Sequence, residues 1–229
     1  MIMVLESEPD KIPLFKQYFS VIILAANILV FIWQLTDPTG QMHIEDAAFV
    51  PAEFFAGQKL WTIITSMFMH GDYVHIIMNM WFFLVITDNC EHAMGHWLYL
   101  FTYFASGIFA TMLHAWSTVF IPMWGETEAR YIPSLGASGA IFGLMAVYAI
   151  LYPKNKFYVL GGTYTRKITA SYFIITYFIA ELMYAFFSFE LTGTAHFAHV
   201  GGFVAGAVIA YIFKSVKEVK ATPEKKKKS

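Results

Sequence analysis

Apolar runs long enough to cross a lipid bilayer, separated by polar stretches, dominate this chain. A membrane-spanning helix needs about 20 residues, and 58% of the 229 residues are hydrophobic while only 14% are charged. Ordinary soluble domains carry about 25% charged residues, so we predict an all-α membrane protein without a second soluble domain. Six spans are assigned, of which the second and fourth look short: residues 18–35, 74–87, 97–115, 137–152, 168–189 and 195–213.

The long connection between the first two spans, residues 41–71, is too polar to cross a membrane. It mixes Pro51 and Gly57 with aromatic side chains such as Phe54 and Trp61. This composition is typical of a segment that lies partly in the membrane interface. The single cysteine, Cys90, excludes an intrachain disulfide and a cysteine-rich metal cluster.

The basic residues indicate how the spans are oriented. Of the fifteen Lys and Arg residues, all but Lys59 and Arg130 fall on one side of the predicted bundle. Cytoplasmic loops carry the excess of Lys and Arg, so both termini are predicted to be cytoplasmic and the number of spans must be even. The N-terminus lacks the basic region and cleavage site of a removable signal peptide, and the lysines at 225–228 are expected to lie near anionic lipid.

Polar side chains within the spans are the candidate functional groups, because such groups are costly in hydrocarbon. His75 and Asn79 lie four residues apart on one face of the second span, the fourth span opens with Ser138, and the sixth carries His199. Each alone has a structural explanation: a serine can bond to its own helix, and a buried histidine can be a satisfied interior group. Their joint occurrence favours a functional site.

Small residues show how Ser138 and His199 can meet. The fourth span contains Gly139 and Gly143, and the sixth contains Gly202 and Gly206. Stripes of this spacing let two helices approach closely in lipid. At 100° per residue, His199 lies on the same face as the second stripe. If the two faces meet, the hydroxyl and the imidazole come within hydrogen-bond reach, as a nucleophile and its base must.

The histidines admit a second interpretation, as metal ligands. A membrane metalloprotease would use a His-Glu-x-x-His sequence, and the chain contains none. We therefore favour another role for His75 and Asn79, in which they donate hydrogen bonds to the oxyanion of a tetrahedral intermediate. The backbone N–H of Ser138 would be a further donor.

Together these residues resemble the rhomboid family of intramembrane serine proteases, over residues 61–206. The order of the motifs makes the resemblance specific. The matching positions are Trp61, His70, His75, Asn79, Glu91, Gly95, Tyr103, Gly107, the segment 136–143, Ala198, His199, Gly202 and Gly206.

The resemblance implies a six-helix rhomboid-like bundle, a long interfacial first loop and a Ser/His dyad beneath a water-filled cavity. By position, Ser138 would be the nucleophile, His199 the base, and His75 and Asn79 the oxyanion stabilisers. Gly136 belongs to the same motif, and His70 would have a more structural role. Phe142 would pack on the catalytic imidazole, which no acidic residue is expected to orient, so packing must hold it.

Several positions depart from the family pattern or have no clear role. Thr62 follows Trp61 where many relatives have Arg, and Thr87 stands where many have Gly. Glu91 is expected to tie neighbouring helices. Glu181 lies inside the fifth span, which in rhomboid-like proteins borders the entry of substrate, and we expect it to affect gating.

The sequence therefore predicts an intramembrane serine endopeptidase that hydrolyses transmembrane protein substrates in contact with membrane lipid, without a cofactor, a metal or a nucleic-acid partner. Residues 1–17 and 214–229 would be cytoplasmic segments around a membrane protease domain at 18–213. A prokaryotic plasma membrane is the expected location. Two alternatives remain open: an inactive rhomboid-like protein that binds transmembrane helices, and a small transporter.

Overall fold

A computed structural model describes residues 3–7, 9–121, 128–161, 164–187 and 195–225. The predicted end of the fifth span, at 188–189, and the last four residues of the basic tail lie outside these ranges. The elements are β1 (Met3–Glu6), α1 (Tyr18–Gln34), α2 (Met42–Ala47), α3 (Pro51–Phe55), α4 (Thr62–Thr65), α5 (Tyr73–Met94), α6 (His96–Phe120), α7 (Ser138–Leu151), β2 (Lys156–Gly161), β3 (Tyr164–Thr169), α8 (Ala170–Phe187) and α9 (His196–Lys225).

Three of the described helices are long and apolar enough to cross a membrane: α6, α8, and α9 as far as Glu218. The helices α1 and α7 are apolar but shorter, with 17 and 14 residues. At the usual helical rise, α7 is only about 21 Å long, less than the roughly 30 Å thickness of a hydrocarbon core. The mostly helical membrane architecture is confirmed, and the helix at the position of the predicted fourth span is short, as expected.

The second predicted span is longer than expected, because α5 has 22 residues. The predicted span ends at Thr87, whereas the helix continues to Met94, and Glu91 in this additional part is buried with partners. Its carboxylate accepts hydrogen bonds from the backbone N–H groups of Phe19 and Ser20, each at 3.0 Å, and its Oε1 lies 2.6 Å from His96 Nδ1. Glu91 thus caps α1 and ties three helices together, which confirms the role predicted for it.

A three-stranded antiparallel sheet, in the order β1–β2–β3, makes the protein mostly helical rather than all-α. The sequence predicts no strand in these segments, because strands of four to six residues give weak periodic signals. Val4 pairs with Val159. Val4 and Phe157 are fully buried, and the Phe157 ring lies 5.4 Å from that of Tyr148. The sheet therefore packs against the C-terminal end of α7.

The helix α7 lies at the centre of the bundle. Its residues 139–149 are all buried, as expected of a helix that is apolar on every face. A Cβ atom added to Gly202 would overlap the carbonyl oxygen of Gly139, and one added to Gly206 would overlap that of Gly143. The backbones of α7 and α9 are therefore in direct contact, and the two predicted glycine stripes face each other.

We expect Gly206→Val to destabilise the protein by about 2 kcal/mol or more, because inserting carbons into a packed interface costs roughly 1–3 kcal/mol and backbone atoms cannot rotate away. Thermal unfolding in detergent micelles measures the effect. The control is Val208→Ile on the same helix, where the side chain is 54% exposed. Equal melting temperatures for Gly206→Val and the wild type would contradict the close helix contact.

Glu6 attaches β1 to the bundle through hydrogen bonds at the end of α7. It accepts from the Tyr148 hydroxyl, from Asn155 Nδ2 at 3.1 Å and from Asn89 Nδ2 at 2.8 Å. Burial raises the pKa of Glu6 from 4.5 to about 7; the hydrogen bond from Tyr148 opposes this shift and the nearby charge of Asp88 adds to it. The neutral acid is therefore favoured in the docked strand.

Docking of β1 is accordingly predicted to weaken as the pH rises. A raised acid pKa stabilises the docked form fully below the ordinary pKa, and this contribution is lost as the pH rises through about 7. Amide exchange protection of β1 should therefore fall between pH 5 and pH 8. Glu6→Gln should remove the pH dependence, whereas Asp10→Asn in the same segment should keep it. A dependence that persists in Glu6→Gln would refute the assignment.

Candidate active site

The connection between the first two predicted spans, residues 41–71, is braced by Lys59. Its Nζ donates a hydrogen bond to the Glu45 carbonyl oxygen at 2.8 Å and pairs with Glu53 Oε1 at 3.0 Å. Thr62, at the position where the resemblance implies arginine, donates from Oγ1 to the Lys59 carbonyl oxygen at 2.7 Å. Lys59 and Thr62 thus both hold this part of the chain in place.

Ser138 begins α7, directly after a turn that requires glycine. Gly136 has a φ of 128°, which residues with a β-carbon rarely adopt. Its N–H donates to the Ser66 carbonyl oxygen at 2.9 Å, which attaches this segment to the end of the connection at residues 41–71. A Cβ atom at Gly136 would lie 2.9 Å from His75 Nε2. Glycine therefore lets the imidazole of α5 approach the segment that positions Ser138.

Ser138 and His199 are brought together across the α7–α9 interface. The Ser138 Oγ and His199 Nε2 atoms are 2.8 Å apart. Phe142, one turn along α7, stacks on the His199 ring with 4.3 Å between ring centroids and 10° between planes. His199 is only 8% exposed. The hydroxyl therefore contacts a base whose ring orientation is fixed by an aromatic neighbour.

Glu181 of α8 contacts the other side of the same imidazole. Its Oε2 lies 2.8 Å from His199 Nδ1 and 2.7 Å from His196 Nδ1. The expectation that packing alone orients His199 is therefore wrong. The sequence offered only a lone acid in an apolar span as a signal, because α8 and α9 are brought together by the fold rather than by any local pattern.

His75 and Asn79 lie on the face of α5 that is directed toward Ser138. Asp72 caps this helix by accepting from the His75 N–H at 2.8 Å. His75 Nδ1 accepts a hydrogen bond from the Gly71 N–H at 3.4 Å. The buried Asn79 Nδ2 has no hydrogen-bond partner among the residues that the structure describes. A buried donor without a partner is costly, so this amide is suited to an oxygen atom that arrives with a ligand.

His70 lies in the turn before α5 and is held through its backbone. Its N–H donates to Gln34 Oε1 and its carbonyl accepts from Gln34 Nε2, both at 2.9 Å. The His70 ring packs edge-on against that of His75, with 5.1 Å between centroids. Burial, with a smaller effect of the nearby His75, lowers the pKa of His70 to about 4. The ring is therefore neutral near pH 7 and contacts His75 rather than Ser138.

A cavity of about 1030 Å³ joins these groups. Ser138, His199, His75 and Asn79 all line it, and α8 contributes Tyr177 among others. One compartment therefore contains the hydroxyl with its base and two candidate oxyanion donors. It is large enough for an extended piece of peptide rather than a small molecule alone.

Glu181, His196 and His199 form the only cluster of three potential metal ligands within the described ranges, with ligand atoms within 4.8 Å of one another. Two histidines and a glutamate are a set that zinc also uses. Tetrahedral zinc would separate its nitrogen and oxygen ligands by about 3.4 Å. The observed separations of 2.7 and 2.8 Å are instead those of N–H···O hydrogen bonds.

Comparisons with known proteins agree with the geometry. Residues 57–216 match the family model of the Rhomboid domain. The chain is 30% identical to "Rhomboid-like protease 3" of Toxoplasma gondii over 174 residues, which are 76% of this chain and 59% of that protein. It is 29% identical to "Rhomboid protease AarA" of Providencia stuartii over 160 residues, which are 67% of this chain and 56% of that protein.

Another relative carries a different description. "Inactive RHOMBOID-like protein 8" of Arabidopsis thaliana is 26% identical over 147 residues, which are 64% of this chain and 36% of that protein. The chain thus matches less than two thirds of the length of these relatives. The match to the family model, residues 57–216, covers the part of the chain that contains the candidate site.

Proposed function

The chain belongs to the rhomboid family, and we propose that it is an intramembrane serine endopeptidase in which Ser138 is the nucleophile and His199 the general base. The observation that carries the proposal is the 2.8 Å contact between Ser138 Oγ and His199 Nε2 in a cavity between helices. A serine hydroxyl becomes a nucleophile when a neighbouring base accepts its proton. A purely structural pair would need neither the cavity nor a buried Asn79 Nδ2 that has no partner among the described residues.

The reaction would proceed through an acyl-enzyme. Ser138 Oγ attacks the carbonyl carbon of a substrate peptide bond while its proton passes to His199 Nε2. The same nitrogen then gives the proton to the leaving amine, and water hydrolyses the ester in a second round. The Asn79 amide, the His75 imidazole and the Ser138 backbone N–H are the proposed donors to the oxyanion. The last belongs to the first N–H groups of α7, which have no partner within the helix.

The proposed substrate class depends on the position of the site within a membrane. A peptide bond inside a transmembrane helix is shielded by the hydrogen bonds of that helix, so the substrate must unwind locally before attack. We therefore propose transmembrane proteins with small or helix-breaking residues near the cleavage site as substrates. The short α7, which starts at Ser138, allows the reacting hydroxyl to lie below the membrane surface.

The proposal includes a topology of six spans, formed by α1 and α5 to α9. Both termini would be cytoplasmic, with residues 18–213 as the membrane protease domain and 1–17 and 214–229 as flanking segments. The concentration of Lys and Arg on one side supports this orientation. Of the two described basic residues on the opposite side, Lys59 is held by the bonds given above and Arg130 lies over the Tyr131 ring.

We expect Ser138→Ala and His199→Ala each to abolish cleavage of a transmembrane substrate in proteoliposomes. Both should also abolish labelling of the protein by a fluorophosphonate, because that probe reacts with activated serine. Ser117→Ala is the matched control, since this buried serine only bonds to its own helix at the His114 carbonyl oxygen. Full cleavage by Ser138→Ala would overturn the assignment, and a wild type that neither cleaves nor labels would favour the inactive, helix-binding alternative.

Asn79→Ala is expected to lower kcat on the order of 10²-fold while the protein stays folded, because loss of one oxyanion donor typically costs 10²–10³-fold. Steady-state cleavage kinetics and thermal unfolding measure the two effects. Asn27→Ala provides a control at a buried asparagine that bonds within α1 to the Ile23 carbonyl oxygen. An unchanged kcat in Asn79→Ala would remove Asn79 from the proposed oxyanion site.

A further inference from the structure

Glu181 is a buried acid that the Ser/His mechanism does not use. It is 6% exposed and is the only acidic residue of α8. An ionisable group within a membrane span is costly and tends to have a function. Here the cost is offset by two hydrogen bonds, from His199 at 2.8 Å and from His196 at 2.7 Å, to the same carboxylate oxygen.

The contact with His199 determines which ring nitrogen carries the proton. For His199 Nε2 to accept the proton of Ser138, the neutral ring must carry its own proton on Nδ1. That N–H needs an acceptor, and Glu181 Oε2 lies at hydrogen-bond distance from it. When Nε2 takes the serine proton, the ring becomes a cation beside a carboxylate. The same group therefore selects the reactive tautomer and stabilises the charged form.

His196 holds the carboxylate in place. Its Nδ1 is the second donor to Glu181 Oε2, and its ring stacks on Tyr184 of α8, with 5.3 Å between centroids and 18° between planes. His196 and His199 are both on α9, one turn apart, so Glu181 is bound from two successive positions of the same helix. A carboxylate fixed in this way limits the rotation of the His199 imidazole and also stabilises its positively charged form.

We propose that Glu181 is the positioning residue of the base, so that the site works as a Ser138–His199–Glu181 triad in which His196 anchors the acid. This inference rests on the proposed function of Ser138 and His199. Glu181 does not contact the reacting carbonyl. Its contribution is to keep His199 in the tautomer and orientation that accept the serine proton, and to stabilise the imidazolium until the proton reaches the leaving amine.

The first experiment is kinetic. Glu181→Gln, which is nearly isosteric, and Glu181→Ala should each lower kcat on the order of 10²-fold or more, the range of effects when general-base catalysis is impaired. The KM should stay within about twofold, because the positioning residue does not bind substrate. Met183→Ala, at a 51% exposed position of the same helix, is the matched control and should keep the wild-type kcat.

The second experiment detects the hydrogen bond between His199 and Glu181 and does not require proteolytic activity. In protein with ¹⁵N-labelled histidine, the Nδ1 proton of His199 should give a strongly deshielded NMR resonance in the wild type and in Ser138→Ala. The strongly deshielded resonance should be lost in Glu181→Gln, whose neutral amide oxygen is a weaker acceptor than a carboxylate, and His199→Ala should lack it as well. Because this signal does not depend on turnover, it also decides the question if Glu181→Ala fails to fold.

The outcomes separate this inference from the proposed function. Loss of kcat at constant KM together with loss of the resonance supports the triad. A wild-type kcat per folded molecule in Glu181→Gln, even at a lower melting temperature, assigns Glu181 a structural role and overturns the triad while Ser138 stays the nucleophile. Absence of the resonance from the wild type also overturns it. A wild type in which Ser138 is unreactive would instead overturn the proposed function.

Discussion

The backbone contact between α7 and α9 is the constraint on which the rest of the structure depends. Glycines at 139 and 143 meet glycines at 202 and 206 so closely that a single added carbon would overlap a carbonyl oxygen. Helices in lipid lack a hydrophobic driving force for association, and the close packing that small residues allow takes its place. This approach is what brings a serine on one helix within 2.8 Å of a histidine on the other, although 61 residues of chain separate them.

Much of this arrangement could be predicted from the sequence, because the signals were local. The spacing of small residues and the His75 and Asn79 pair on one helix face are periodic features within single helices, and the order of the motifs is visible along the chain. Glu91 was predicted to tie helices and does so. If the two glycine stripes face each other, Ser138 and His199 are expected to come into contact.

The features that the sequence did not predict depend on contacts between distant segments. The strand β1 pairs with β2 across more than 150 residues, and no local pattern indicates such a partner. The α5 helix extends past Thr87 because Glu91 finds partners on α1 and α6. Glu181 presents the same difficulty: an acid in an apolar span has many possible roles, and only the packing of α8 against α9 shows that it contacts His199.

The most direct measurement of the central claim is an experimental structure of the protein after reaction with a fluorophosphonate. We expect a covalent bond from phosphorus to Ser138 Oγ, with the phosphoryl oxygen within hydrogen-bond distance of Asn79 Nδ2 and His199 still adjacent to both Ser138 and Glu181. An adduct on another residue, or a Ser138 adduct whose phosphoryl oxygen points away from α5 with His199 displaced from the site, would show that the assigned site is wrong.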